Sequence, residues 1–114
     1  MTKLITENTA AAASAAIDIN TSRPVTQAAF DEGNYPVGTT FLVTGGALGT
    51  DEHVKLQYND GADWRDANIG GDNGKILDEN NAVKTVYGRM TDVRVSKSVT
   101  ASALGVEGSL CGIY

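Results

Sequence analysis

Glu52-His53-Val54-Lys55-Leu56-Gln57-Tyr58-Asn59-Asp60-Gly61-Ala62-Asp63-Trp64-Arg65 is the stretch on which the fold turns. Val54, Leu56 and Tyr58 fall on one side of an extended chain, and His53, Lys55 and Gln57 on the other. A period of two with one apolar side predicts a half-buried strand in an antiparallel sheet. Asp60-Gly61 then lies in a short connection to Trp64, the pattern of a hairpin with a longer loop.

The same pattern extends in both directions. Residues 39–44, Thr-Thr-Phe-Leu-Val-Thr, are β-branched and aromatic and predict a strand. Short strands are also expected at 75–78, 83–87 and 90–97, and the apolar positions of 105–114 can close the sheet. Nearer the start, Ile17 and Ile19 alternate with polar neighbours, and 24–30 is a further candidate with Pro24 at a strand start or edge. Asp31-Glu32-Gly33-Asn34, the Gly45-Gly46 loop, 69–74 and Glu79-Asn80-Asn81 separate these runs. About eight short strands predict an all-β fold, a small antiparallel β-sandwich or jelly roll. Residues 1–14 read as an extended N-terminal arm ahead of a single domain, 15–114. Ala10-Ala11-Ala12-Ala13 favours helix, but the arm has no apolar period to dock it. It is either ordered by something else or folds back as a strand.

The chain has 114 residues, 41% apolar and 20% charged. That suffices for one domain with its own core. Thirteen glycines against two prolines suit a turn-rich β fold. The formal net charge is −5, and the nine Lys and Arg are scattered. Nucleic-acid binding needs a clustered positive footprint and is not expected. The acidity serves solubility or steering toward a basic partner surface. No stretch is long and apolar enough to span a membrane as a helix. Glu7 interrupts the start, so no secretory leader is expected either, and Asn20-Thr21-Ser22 is then an idle glycosylation sequon.

The residue types that carry chemistry are thinly supplied. Cys111 is the single cysteine, has no partner for an internal bridge, and reads as a structural thiol. His53 is the single histidine and lies on the polar side of its strand, which leaves no His-rich metal set and no nucleophile–base pair. Gly45-Gly46 lacks the further glycines of a phosphate-binding loop. Asp60, Asp63, Asp66, Asp72, Asp78 and Glu79 fall in or beside turns, where carboxylates serve the backbone. Asp72-Asn73-Gly74, with Asp66 or Asp78, offers oxygen ligands for calcium but matches no EF-hand spacing. No catalytic residue, cofactor or metal site is therefore assigned, and the protein is not expected to be an enzyme. Trp64 is expected to fill the core on the face of Tyr58; an exposed interaction platform is the alternative. Leu4, Ile5, Tyr35, Trp64, Tyr87 and Tyr114 form the candidate interaction set.

Val54-Lys55-Leu56-Gln57-Tyr58, Asp60-Gly61-Ala62-Asp63-Trp64, Tyr87-Gly88-Arg89 and Val93-Arg94-Val95-Ser96-Lys97 follow one another in a pattern that resembles small β-sandwich proteins of tailed-bacteriophage virions. The functional group most similar is that of head decoration, or cement, proteins, and the resemblance covers residues 37–106. It implies a virion structural protein made in the host cytoplasm. Such a protein binds the outer surface of a phage head as a homo-oligomer, dimer or trimer, and clamps neighbouring major capsid proteins. A carbohydrate- or receptor-binding module of a head fibre or tail is the alternative. The first reading expects arm and edge strands in contacts; the second expects an exposed aromatic with convergent polar groups.

Overall fold

The structure, a computed structural model, describes residues 2–17, 38–68, 72–87 and 92–108. Those residues form nine strands: β1 (Thr2–Asn8), β2 (Ala12–Ala13), β3 (Gly38–Thr44), β4 (Val54–Asn59), β5 (Trp64–Asp66), β6 (Lys75–Leu77), β7 (Val83–Tyr87), β8 (Val93–Lys97) and β9 (Leu104–Gly108). They build two antiparallel sheets. The first runs β1-β9-β3-β7; the second runs β2-β8-β4-β5, with β6 sharing the β4 edge. The expected small β-sandwich is therefore the fold. The candidate strand at 24–30 and the chain beyond Gly108 lie outside the described residues.

Alternation decides what fills the space between the sheets. Phe41, Val86, Leu104 and Val106 of the first sheet meet Val54, Leu56, Ile76, Leu77, Val93 and Val95 of the second in one apolar cluster. Phe41, Leu56, Leu104, Val93 and Val95 are fully buried, each worth about 1.5–3 kcal/mol of burial. Tyr58, expected on this face, is 40% exposed near the end of β4.

The arm folds back on its own domain. β1 pairs with β9, and β2 pairs with β8 at Ala12↔Lys97 and Ala13↔Ser96. Pairing continues past β2 through Ser14 N to Val95 O (2.9 Å) and a bridge between Ile17 and Val93. The expected strand at 15–19 is thus a single bridge as far as it is described. The missing period in the arm has a cause. The register slips between Lys3 and Ile5 and again between Ile5 and Asn8. Each irregularity re-aims the following side chain, so Ile5 reaches the core with Leu4 packed beside it.

A polar clamp and a glycine fix the arm. Glu7 accepts from Lys3 and from the Thr44 hydroxyl (2.8 Å), joining β1 to β3 across the outer side of β9. Gly105 of β9 is what permits that approach. A Cβ there would stand 2.5 Å from the Ile5 carbonyl oxygen and 2.9 Å from the Thr44 hydroxyl. Backbone atoms on one side leave no flexible neighbour to yield. Gly105→Ala should therefore lower the unfolding free energy by about 2 kcal/mol, read from the urea midpoint by circular dichroism.

Glu7 also links stability to pH. Its carboxyl is pulled from an ordinary 4.5 down to about 2, first by the Lys3 hydrogen bond, then by its own backbone N–H and Thr44. A depressed folded-state value means a contribution present above about pH 4.5 and lost as pH falls toward 2. Glu7→Gln should flatten the stability profile across that window relative to the parent protein, leaving the profile above pH 5 parallel.

Candidate interaction face

The pleat that sends Val54 and Leu56 inward sends Lys55, Gln57 and Asn59 outward. On β8, Val93, Val95 and Lys97 turn inward, and Arg94 and Ser96 turn outward. Register then assembles a face. Gln57 is opposite Arg94 on one side and Asp66 on the other, and Asn59 is opposite Trp64. Cross-strand partners share a face. Trp64 therefore lies on the outer side of the second sheet, not on the core side with Tyr58, whose partner is Arg65. The expectation of a core tryptophan is corrected by the hairpin register: its four-residue loop, Asp60 to Asp63, sets Trp64 against Asn59.

The face is a connected set. Lys55 Nζ donates to Asp66 Oδ2 (3.1 Å), Gln57 Nε2 to Asp66 Oδ1 (3.1 Å), and Arg94 Nε to Gln57 Oε1 (2.9 Å). The Arg94 guanidinium stands 4.5 Å above the centroid of the half-buried Trp64 ring. The Asp66 carboxyl is held below its usual range, first by Gln57 and then, against the opposing effect of burial, by Lys55. Each side chain thus has its position fixed by the next, from Lys55 through to Trp64. Such order is installed before any partner arrives, which lowers the entropy cost of binding.

One end of the face is closed by the β4–β5 hairpin. Asp60 Oδ1 accepts from the backbone N–H groups of Ala62 (2.9 Å) and Asp63 (2.7 Å), and its other oxygen binds Arg65. Asn59 Oδ1 accepts from Gly61 N (2.8 Å), where φ is 100°. Those bonds, the Asp63 one first, hold the Asp60 carboxyl well below its ordinary value. The turn carboxylate serves the backbone, as its sequence position implies.

A second polar group lies at the other end of β4. Asp51, Glu52, His53, Lys75, Asp78, Glu79 and Asn80 line an open cleft of about 130 Å³. Burial pushes the His53 imidazole below its ordinary value, opposed by a hydrogen bond to the Asp51 backbone. Glu52 is occupied as a loop staple, accepting from Gly49 N (2.7 Å) and Ala101 N (2.8 Å). Among the described residues no group of three or more His, Cys, Asp or Glu is arranged to hold a metal. For the calcium option, Asp66 is engaged on the outer face, and Asn73 and Gly74 form a turn at positive φ.

The candidate contact residues separate. Ile5 is 4% exposed and belongs to the core, and Leu4 is half-buried against it. Tyr87 ends β7 opposite Gly38, with its side chain outside the described residues. Tyr35 and Tyr114 are outside them altogether, as is Cys111. Trp64 alone is placed on an outer face. Arg94 and Gln57 escaped the sequence reading: alternation marks them as outward-facing, but their meeting depends on a strand pairing 37 residues apart. Compared with protein-family models, curated proteins and solved structures, the chain matches none.

Arg94→Ala removes the cation from the indole and leaves Gln57 without its donor. Acrylamide should then quench Trp64 fluorescence more strongly, with a loss of about 0.5–1 kcal/mol in stability. An unchanged quenching constant would mean that the ring is shielded by something other than the guanidinium.

Proposed function

We propose that the protein is a structural binding module of a virion, seated on the outer surface of a phage head, with the Trp64–Arg94 face as its contact with the major capsid protein. The observation that carries this reading is the preassembled row from Lys55 to Trp64 on the outer side of the second sheet. Tryptophan and arginine are the side chains that most often dominate binding energy at protein interfaces. Here both are held by neighbours rather than free to move. The resemblance of the strand pattern to head decoration proteins supplies the identity of the partner, and the net charge of −5 suits a basic shell surface. Self-association into a dimer or trimer fits the outer edge of β7, which is unpaired among the described strands and carries the 58% exposed Val83.

The same face gives one reason to keep the second reading, a carbohydrate- or receptor-binding module. An aromatic ring flanked by Gln57, Asp66 and Arg94 offers a stacking surface with polar groups beside it. The first sheet and the arm give that reading no comparable support.

Co-sedimentation with purified phage heads separates the two. The parent protein should pellet with heads, and Trp64→Ala should weaken that binding at least tenfold, the size of a hot-spot loss of about 2 kcal/mol. Undiminished binding by a folded Trp64→Ala protein would remove the face from the contact. Retention on immobilised glycans without binding to heads would favour the second reading.

A further inference from the structure

A sheet edge is a row of unpaired N–H and C=O groups, and the sandwich guards most of its edges. β1 is interrupted by two register slips, β2 has two residues, and β5 and β6 have three each. β7 is different. All five of its residues, Val83 to Tyr87, pair with β3 in one unbroken register, with neither a proline nor a bulge. Its other side has no strand beside it among the described residues.

The ladder shows which groups of β7 are free for a partner. Val43 N donates to Ala82 O (3.1 Å), so Val43 and Ala82 form a hydrogen-bonded pair. Such pairs alternate along an antiparallel ladder with pairs whose N–H and C=O groups turn away from each other. Lys84 and Val86 therefore bond to Phe41 and Thr39, and the N–H and C=O groups of Val83, Thr85 and Tyr87 point outward from the sheet. Val83 is 58% exposed, and the Thr85 hydroxyl is tied to that of Thr40 (2.8 Å). The three outward positions are thus two β-branched residues and an aromatic, the types that strands favour.

We propose that β7 pairs antiparallel with β7 of a second copy about a two-fold axis at Thr85, joining the first sheets of two molecules into one continuous sheet. This deepens the self-association read above by naming its partner and its contact. The strand is self-complementary in that register. Val83 stands opposite Tyr87 of the second copy, and Thr85 opposite Thr85 of the second copy. Every facing pair is outward-turned in both copies, so each exchanges two backbone hydrogen bonds, about six in all. Valine against tyrosine and threonine against threonine are cross-strand pairings that stabilise sheets. One patch meets itself, so the contact closes at two copies. Lys84 limits the strength. It shares the inward side with Val86 and is half-buried, and a charge on the inner side of an edge strand resists a new neighbour. The axis at Thr85 sets Lys84 against Val86 of the second copy, which keeps the two amines offset. Association is therefore reversible, as suits a small interface.

Sedimentation of the full chain over a concentration series tests the pairing. A monomer–dimer equilibrium with a dissociation constant between about 1 μM and 1 mM is expected. Thr85→Pro removes the outward N–H at the axis and leaves the bonds to β3 in place, since an edge strand tolerates proline where its N–H faces solvent. Two hydrogen bonds are lost per dimer, so dimerisation should weaken by about tenfold or more. Thr85→Cys, with Cys111→Ser, should give a disulfide-linked dimer on mild oxidation. A hydrogen-bonded pair sets its Cα atoms about 5.5 Å apart, within disulfide reach. Val83→Cys in the same background should not, because Tyr87 faces it. A parent protein that stays monomeric up to about 1 mM, or that forms trimers, would overturn the proposal. So would a folded Thr85→Pro protein that dimerises like the parent. Equal cross-linking of Val83→Cys and Thr85→Cys would overturn the register, and these two variants decide the matter if Thr85→Pro does not fold. Binding to phage heads is read separately, with Trp64→Ala, and stands or falls independently of the dimer.

Discussion

Five consecutive residues of β4, Val54 to Tyr58, pair without a slip against Lys97 to Val93 of β8. The other edge of β4 is occupied by β5 and β6, and the other edge of β8 by the start of the chain. Both faces of the second sheet therefore take their order from this one pairing. Its inner positions bring Leu56 against Val95; its outer positions bring Gln57 against Arg94. A shift by one residue would exchange the two sets. It would place a guanidinium in the core and expose valines to water, a penalty far beyond any single hydrogen bond. The core and the candidate binding face are two sides of the same register.

That dependence explains what could be read from the sequence. Val54-Lys55-Leu56-Gln57 and Val93-Arg94-Val95-Ser96 carry their own face assignment, because alternation is local, and the β-sandwich follows from several such runs. Pairing between runs is not local. The side Trp64 occupies is not legible from alternation, because the hairpin register depends on how Asp60 and Asn59 fold the turn. The arm was illegible for a different reason: its two register slips erase the period that would have marked Ile5 as a core residue. Lys97 is the opposite case. Its position in the valine series places it inside, although lysine ordinarily avoids the core.

Polar groups in this small domain are distributed by what they can reach. Asp60, Asp66, Glu7 and Glu52 all have carboxyls held below their ordinary values, and in each case hydrogen bonds are the leading cause. Asp60 and Glu52 stabilise loops, Glu7 clamps a strand, and Asp66 orients the outer row. Lys97 differs in being buried as a cation without a carboxylate partner among the described residues, its amine satisfied by the Ser98 carbonyl and the Thr100 hydroxyl.

The pairing of β1 with β9 joins Thr2–Asn8 to Leu104–Gly108, nearly the two ends of the described chain. During synthesis the first strand leaves the ribosome roughly a hundred residues before its partner, and chains emerge at about 5–20 residues per second. For several seconds, then, Leu4 and Ile5 have no sheet to join. Long-range pairing of this kind is slow, since loop closure precedes any gain in contact. The first sheet is consequently completed only after β9, about a hundred residues downstream of β1, has been made.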